Sequence, residues 1–368
     1  MKKILIIGMT STPGGVESFL KNYCMNDNFN DIQFDFLCPS IEEIAYTQEI
    51  KEKSKIFYIV PKRKNMLLHK KQLNGFFRVH ACEYVAVWAN LNSLMNVDYL
   101  LKAKKYGIGR LIVHSHNSNN MGGLIQKILH IQNRMRIHKI ATDYWACSLE
   151  AAKWFYPENL LSHVNYIKNA IKVSDFVFCQ AKRETYREKY KLDNCKVIGH
   201  IGRLHFQKNQ EFLLSIMDEL VKRDTSYRLL LIGSGPDCER LKSIVLEKKL
   251  EEYIIFLGQQ RDIGGWLSAF DLFVFPSKFE GLSIVALEAQ ANGVPIVAST
   301  NAICEEGLLN SNVSRISLES NIDVWCSAIE EAVNSERISS QVIQNNFKKN
   351  NFDIDIAISK LKTIFEDM

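Results

Sequence analysis

A chain of 368 residues with 46 Lys plus Arg, 41 Asp plus Glu and 46% hydrophobic residues is long enough for two domains with full-sized cores, at roughly 100–200 residues each. The composition excludes wholesale disorder, a collagen-like chain and a coiled coil, and without an apolar run of about eighteen residues no membrane span is predicted. The net charge of +5 is uneven: residues 1–170 hold 22 basic against 13 acidic side chains, a balance of +9, while 171–368 hold 24 against 28, so the first half suits an anionic surface or substrate.

The chain opens MKKILIIGMT, where Gly8 and Thr10-Ser11-Thr12 confine the apolar stretch to residues 4–7. That favours a buried first strand over a signal peptide. Short apolar runs then alternate with helix-length segments, the pattern of parallel sheets built from βαβ units. The predicted strands of the first half are 3–7, 34–37, 56–59, 84–89, 110–113, 144–147 and 164–167. A second series covers 197–201, 228–232, 254–257, 272–275 and 295–298. Each series predicts one doubly wound sheet, with the seam in 168–179 and a ligand in the cleft between them, beyond the carboxyl ends of the strands. Residues 353–368 place Ile354, Ile358, Leu361 and Ile364-Phe365 on one helix face, so the chain closes with an amphipathic helix that needs a packing partner. Nine cysteines without a CxxC pair read as reduced core thiols of a cytosolic protein, not as a disulfide or zinc framework.

Within the basic half, Lys62-Arg63-Lys64 with Lys70-Lys71, Lys102 with Lys104-Lys105, and Arg134-Arg136-Lys139 carry the surplus. Each cluster alone reads as a solvated helix face, and with no reader motif nearby no nucleic-acid partner is expected.

Candidate site residues cluster after the strands. The first strand leads into Gly14-Gly15-Val16-Glu17 before a helical pattern. Two glycines there let an anion reach the amides at a helix start, or simply make a tight turn. The spacing from Gly8 is not that of a dinucleotide fingerprint. Strand 110–113 ends in His114-Ser115-His116-Asn117-Ser118, where polar residues at a buried tip need a site or partners. The two histidines share a side of the strand, yet no acid or cysteine stands near to complete a metal shell. Asn117 or Ser118 would also serve as a plain helix cap. Arg203 and Lys208 flank the loop after strand 197–201, where two cations can hold a diphosphate and neutralise a departing one; unpartnered surface cations are the alternative. A glycine turn, Gly233-Ser234-Gly235, follows the next strand.

The strongest stretch is Phe279-Glu280-Gly281-Leu282-Ser283, leading into a helix over 283–292 that Gly293 caps. The amides of Gly281, Leu282 and Ser283 suit phosphate oxygens. Glu288 stands among Val285, Ala286, Leu287, Ala289 and Ala291, where a buried carboxylate would need a partner or a task. Glu280 could equally be an acid that complements the helix dipole.

Taken together these segments resemble the retaining, nucleotide-sugar-dependent glycosyltransferases of family 4 (glycosyl transferases group 1). The most specific part is Glu280 and Glu288, eight apart in FEGLSIVALEAQANGVPIVAS, preceded by GRLHFQKN. The resemblance implies the GT-B fold, an α/β architecture of two Rossmann-like, doubly wound parallel-sheet domains. It implies an acceptor domain over 1–170, a donor domain over 171–350, and a terminal helix over 351–368 crossing back to the first. It also implies roles. Arg203 and Lys208 grip the donor diphosphate, helped by the amides of Gly15 and Leu282-Ser283; Glu288 bonds the ribose; Glu280 orients the sugar and His116 contacts it. Gly233 and Gly281 would line the donor site, Gly258 and Gln260 would lie near the base, and Gly14, His114 and Asn117 would face the acceptor. No metal and no cofactor are expected, and Asp353-Ile354-Asp355 is taken as structural. The implied activity is same-face transfer from a nucleotide sugar, most simply UDP-linked, to a glycan or lipid-diphosphate acceptor in capsule, exopolysaccharide or lipopolysaccharide-type synthesis. The implied location is cytoplasmic, with the basic first half compatible with peripheral contact on an anionic inner membrane face. Two rivals keep the fold: a nucleotide-sugar 2-epimerase, which needs no acceptor, and a non-catalytic nucleotide-sugar-binding subunit.

Overall fold

The computed structural model describes residues 1–29, 31–117 and 123–366; Ser118 and the last two residues lie outside them. The chain divides into two compact units, Met1–Ala170 with Ile354–Met368, and Ile171–Asp353.

The first unit holds β1 (Lys2–Ile7), β2 (Ile32–Cys38), β3 (Ile56–Tyr58), β4 (Ala86–Leu91), β5 (Arg110–Ser115), β6 (Asp143–Ala146) and β7 (Val164–Tyr166). They form a parallel sheet in the order β3-β2-β1-β4-β5-β6-β7. The inner strands are buried on both faces, which is why they read as continuous apolar runs. Strand β5 runs two residues beyond the predicted end at 113, because the Cys147 amide still bonds Ser115 O at 3.0 Å. His114 therefore lies inside the sheet.

The terminal helix Ile354–Glu366 belongs to this unit. Ile354, Ile358, Leu361 and Phe365 are buried, and the Phe365 ring lies 5.6 Å from Trp88, 5.7 Å from Trp145 and 5.9 Å from Phe34. Lys2 Nζ donates to Glu366 O at 2.9 Å, placing a cation at the helix end where the dipole favours one.

The second unit holds β8 (Lys196–Ile201), β9 (Tyr227–Ile232), β10 (Ile254–Gly258), β11 (Leu272–Phe275), β12 (Ile296–Ser299) and β13 (Val313–Ile316), parallel in the order β10-β9-β8-β11-β12-β13. Edge strand β13, sequence VSRI, was not predicted; its partly exposed residues give no apolar run. Asp271 fixes the central pair: its carboxylate accepts from Arg187 Nη1 at 3.1 Å and from the Val197 amide at 2.8 Å. Each sheet thus reverses its winding once, between β1 and β4 and between β8 and β11, and the crevice at such a reversal is where open α/β sheets bind ligands.

Candidate functional site

In the second unit the loops after β8 and β11 are sewn together. Gln207 Nε2 donates to Phe279 O at 2.9 Å, the Lys278 amide to Gln207 O at 2.8 Å, and Asn209 Nδ2 to Pro276 O at 3.2 Å. Asn209 takes a left-handed conformation, φ 57°, which asparagine tolerates better than most residues. The outcome is an ion pair: Lys208 Nζ lies 2.8 Å from Glu280 Oε1, with side chains only 15% and 9% exposed. The ammonium also sits 4.8 Å from the centre of the Phe275 ring, a further favourable contact for a cation. Arg203 stands exposed at the lip of the same loop.

Glycines set how closely the neighbouring turns approach. Gly233 has φ 134°, and a Cβ there would lie 2.0 Å from Gly202 O. Its amide donates to Gly258 O at 2.8 Å, so the turns after β8, β9 and β10 form one ledge. Beside it begins the helix Ile284–Asn292, with Ser283 as its N-cap and no side-chain hydrogen bond from that residue. Gly281 and Leu282 lead into it, leaving first-turn amides that suit an anion. Gly293 ends this helix at φ 78°.

Two expectations need correction here. Glu288 is not fully buried: it is half-exposed beside Val285, while Ala286, Leu287, Ala289 and Ala291 face the interior. The helix is buried round most of its circumference, and Val285 and Glu288 form its partly exposed strip. The Gln260 side chain is already engaged, its amide nitrogen on Leu257 O at 2.7 Å and its oxygen accepting from Trp266 Nε1 at 3.2 Å.

Behind Arg203 lie residues the sequence did not flag. Gln210 Nε2 donates to Arg203 O at 2.9 Å and contacts His200 Nε2 at 3.1 Å, and His200 Nδ1 donates to Val274 O at 2.9 Å. Burial, with Lys208 nearby, pushes His200 down to about 4, so the ring is neutral and its free nitrogen accepts from Gln210. Gln210, His200 and Phe275 support the loop. His200 and Gln210 flank the loop in sequence, while Phe275 is brought to it from β11.

In the first unit Gly8, φ 135°, lies where a Cβ would be 2.5 Å from Asn90 O, locking β1 to β4 at the reversal. Thr10 Oγ1 donates to the buried Glu17 carboxylate at 2.7 Å, closing the following turn. A Cβ at Gly14 would meet Glu17 Oε2 at 2.8 Å, whereas one at Gly15, the first residue of the helix Gly15–Cys24, would meet nothing within 4 Å. At 14 a side chain would press on the tip of the Glu17 side chain, while at 15 it would meet open space.

His116 Nε2 lies 2.8 Å from Asn90 Oδ1, the two histidine rings are 4.1 Å apart, and Phe19 packs on both. Burial pushes His116 down to about 3. Because the Asn90 amide nitrogen faces Trp88 O, its oxygen faces the ring, and the Nε2–H of His116 donates to it. His114 is a core residue, not an acceptor-side group as expected: it is fully buried, with Trp88 stacked at 6.0 Å, and burial with His116 beside it depresses its pKa strongly. Asn117 is also buried, and the helix Leu124–Met135 is capped by Gly123 and not by Asn117. Among the described residues no group of three or more His, Cys, Asp or Glu is placed to hold a metal ion, and no helix is long and apolar enough to cross a membrane.

Comparison with known proteins agrees with this geometry. Residues 195–335 match the family "Glycosyl transferases group 1". EpsF of Bacillus subtilis (strain 168), a protein whose name gives glycosyltransferase as an unproven assignment, is 26% identical over 99% of this chain and 96% of its own. The Escherichia coli UDP-Gal:alpha-D-GlcNAc-diphosphoundecaprenol alpha-1,3-galactosyltransferase is 24% identical over 80% of this chain and 84% of its own. Among solved structures the Anabaena protein HepE, in complex with UDP and glucose, superposes with a TM-score of 0.81 at 17% identity, covering all of both chains. The chain is a glycosyltransferase of the GT-B fold, with the match to glycosyl transferases group 1 confined to residues 195–335.

Proposed function

We propose that this enzyme transfers a hexose from a UDP-sugar, with retention of anomeric configuration, to a hydroxyl of a lipid-diphosphate-borne glycan in bacterial surface polysaccharide synthesis. The observation that carries the reading is the Lys208–Glu280 pair at the winding reversal of the second unit, with Arg203 beside it. A departing nucleotide diphosphate needs positive charge at its phosphate oxygens. Lys208, Arg203 and the amides of Leu282 and Ser283 supply it from fixed positions, without recruiting a metal. Glu280 holds the Lys208 ammonium and directs its other oxygen to a sugar hydroxyl, while Glu288 takes the ribose hydroxyls. As the glycosidic bond to phosphate breaks, the acceptor oxygen attacks the face just vacated and its proton passes to the leaving phosphate oxygen, so no separate protein base is required. On the first unit, the Gly15 amide and the neutral His116 are the groups assigned to substrate.

The donor class is supported by the UDP bound to HepE, and the acceptor class by the name of the Escherichia coli relative. A lipid-borne acceptor places the reaction at the inner face of the cell membrane. The test is transfer from a panel of UDP-, GDP- and ADP-sugars to a membrane lipid extract in the presence of EDTA, with the anomeric configuration of the product read by NMR. Consumption of one UDP-sugar to give an α-linked product from an α-donor is expected. Conversion of the donor to an isomer without acceptor, or a requirement for a divalent ion, would overturn the reading.

A further inference from the structure

The helix Leu124–Met135 is turned inside out. Its buried residues are polar: His130 Nδ1 accepts from the Leu94 amide at 3.0 Å, its other nitrogen lies 3.1 Å from Trp154 O, and Asn133 Nδ2 donates to Leu94 O at 2.6 Å. These hydrogen bonds, with the His130 ring stacked on Trp154 at 4.0 Å, fasten the helix to the first unit. Its apolar side chains point to solvent instead: Leu124 and Ile125 are each 75% exposed and Met135 64%, with Ile128, Leu129 and Ile131 also exposed. Leu124, Ile128, Ile131 and Met135 follow the four, three, four spacing of a single stripe, with Ile125 and Leu129 along its edge. Single exposed apolar residues are ordinary on a protein surface, but six contiguous ones are not.

The charge beside the stripe has one sign. Residues 123–142 contain Lys127, Arg134, Arg136 and Lys139 and no Asp or Glu, and Lys104 is drawn to Lys139 O at 2.6 Å. A second copy docking through this helix would set Lys127 and Lys139 against their own counterparts, with no acid within 123–142 to pair them. An anionic bilayer answers both features, because an amphipathic helix lying in the interface buries its apolar side among acyl chains while Lys and Arg meet the headgroups.

We infer that the outward face of Leu124–Met135 seats the first unit on an anionic membrane surface. The inference rests on the proposed function only for the enzyme's reason to visit a membrane. It is tested by co-sedimentation of the full chain with phosphatidylcholine vesicles, with and without phosphatidylglycerol. Three proteins are compared: wild type, the triple variant Leu124→Gln, Ile125→Gln, Ile128→Gln, and the pair Lys127→Glu, Lys139→Glu. Wild type is expected to partition to the anionic vesicles and to be released by salt, and each variant to lose about tenfold or more of that partition while its binding of UDP is unchanged. Binding indifferent to anionic lipid, binding unaltered by the substitutions, or a wild-type dimer in sedimentation velocity that the triple variant abolishes would overturn it. Vesicle binding together with failure of sugar transfer would sustain this face and reject the proposed reaction.

Discussion

Lys208 and Glu280 each depend on the other, because a buried charge that loses its partner costs roughly 3–5 kcal/mol. Lys208→Met alone should therefore lower both the unfolding free energy and kcat/KM, the latter by about a hundredfold or more. Adding Glu280→Gln should restore most of the stability without restoring transfer. Chemical denaturation and initial rates on the two single variants and the double variant check this; recovery of activity in the double variant would show that the pair is structural only. The neutral histidines make a pH prediction at the same scale. His116 and His200 titrate at about 3 and about 4 when folded, against about 6.5 in an unfolded chain. Between those values the unfolded chain binds protons that the folded one refuses, so stability present above pH 6.5 is lost as pH falls, by up to about 1.4 kcal/mol per pH unit for each ring. A melting temperature that holds level from pH 7 to 8 and drops steeply below 6 is expected, and His200→Gln should flatten the drop.

Turns and helix starts separate what the fold needs from what the ligand needs. Gly233→Ala meets both a forbidding φ and the Gly202 carbonyl, so it should lose stability. Gly15→Ala meets open space in a helical first turn. It should raise stability slightly, by about 0.4–1 kcal/mol, and yet weaken use of the donor. A thermal melt set beside the KM for the nucleotide sugar decides it: unchanged KM would reduce Gly15 to an ordinary turn residue. At this scale the sequence is most legible, since buried parallel strands announce themselves as apolar runs and glycines punctuate them. It is least legible where polar side chains continue inside a sheet. Nothing in His114-Ser115 marks that β5 carries on through them, and nothing local ties Gln210 to the backbone of Arg203. Arg203, Lys208 and Glu280 stand out in the sequence by residue type, and the structure pairs Lys208 with Glu280. The exposure of Glu288 depends on what packs around its helix, and the hydrogen bonds of Gln260 on the path of its own turn, neither of which residue type reveals.

For the molecule as a whole, the terminal helix is the closing piece of the first sheet. Phe365→Ala removes a ring packed against Trp88, Trp145 and Phe34 and should cost about 3–5 kcal/mol. The loss should fall on the first unit. Tryptophan fluorescence reports it directly, because Trp88 and Trp145 lie in that unit and Trp266 and Trp325 in the other. A variant that unfolds as wild type would show that the helix is dispensable.

That the first unit takes its last helix from beyond the whole of the second orders events during synthesis. Residues 171–353 leave the ribosome before 354–366, so the second sheet can finish while the first still waits, its tryptophan bed open to water. Until residues 354–366 emerge, the nascent chain presents one completed body and one with an adhesive apolar trough, the kind of surface that chaperones hold. Chains interrupted anywhere in the second unit would keep that trough permanently uncovered, which marks them for clearance.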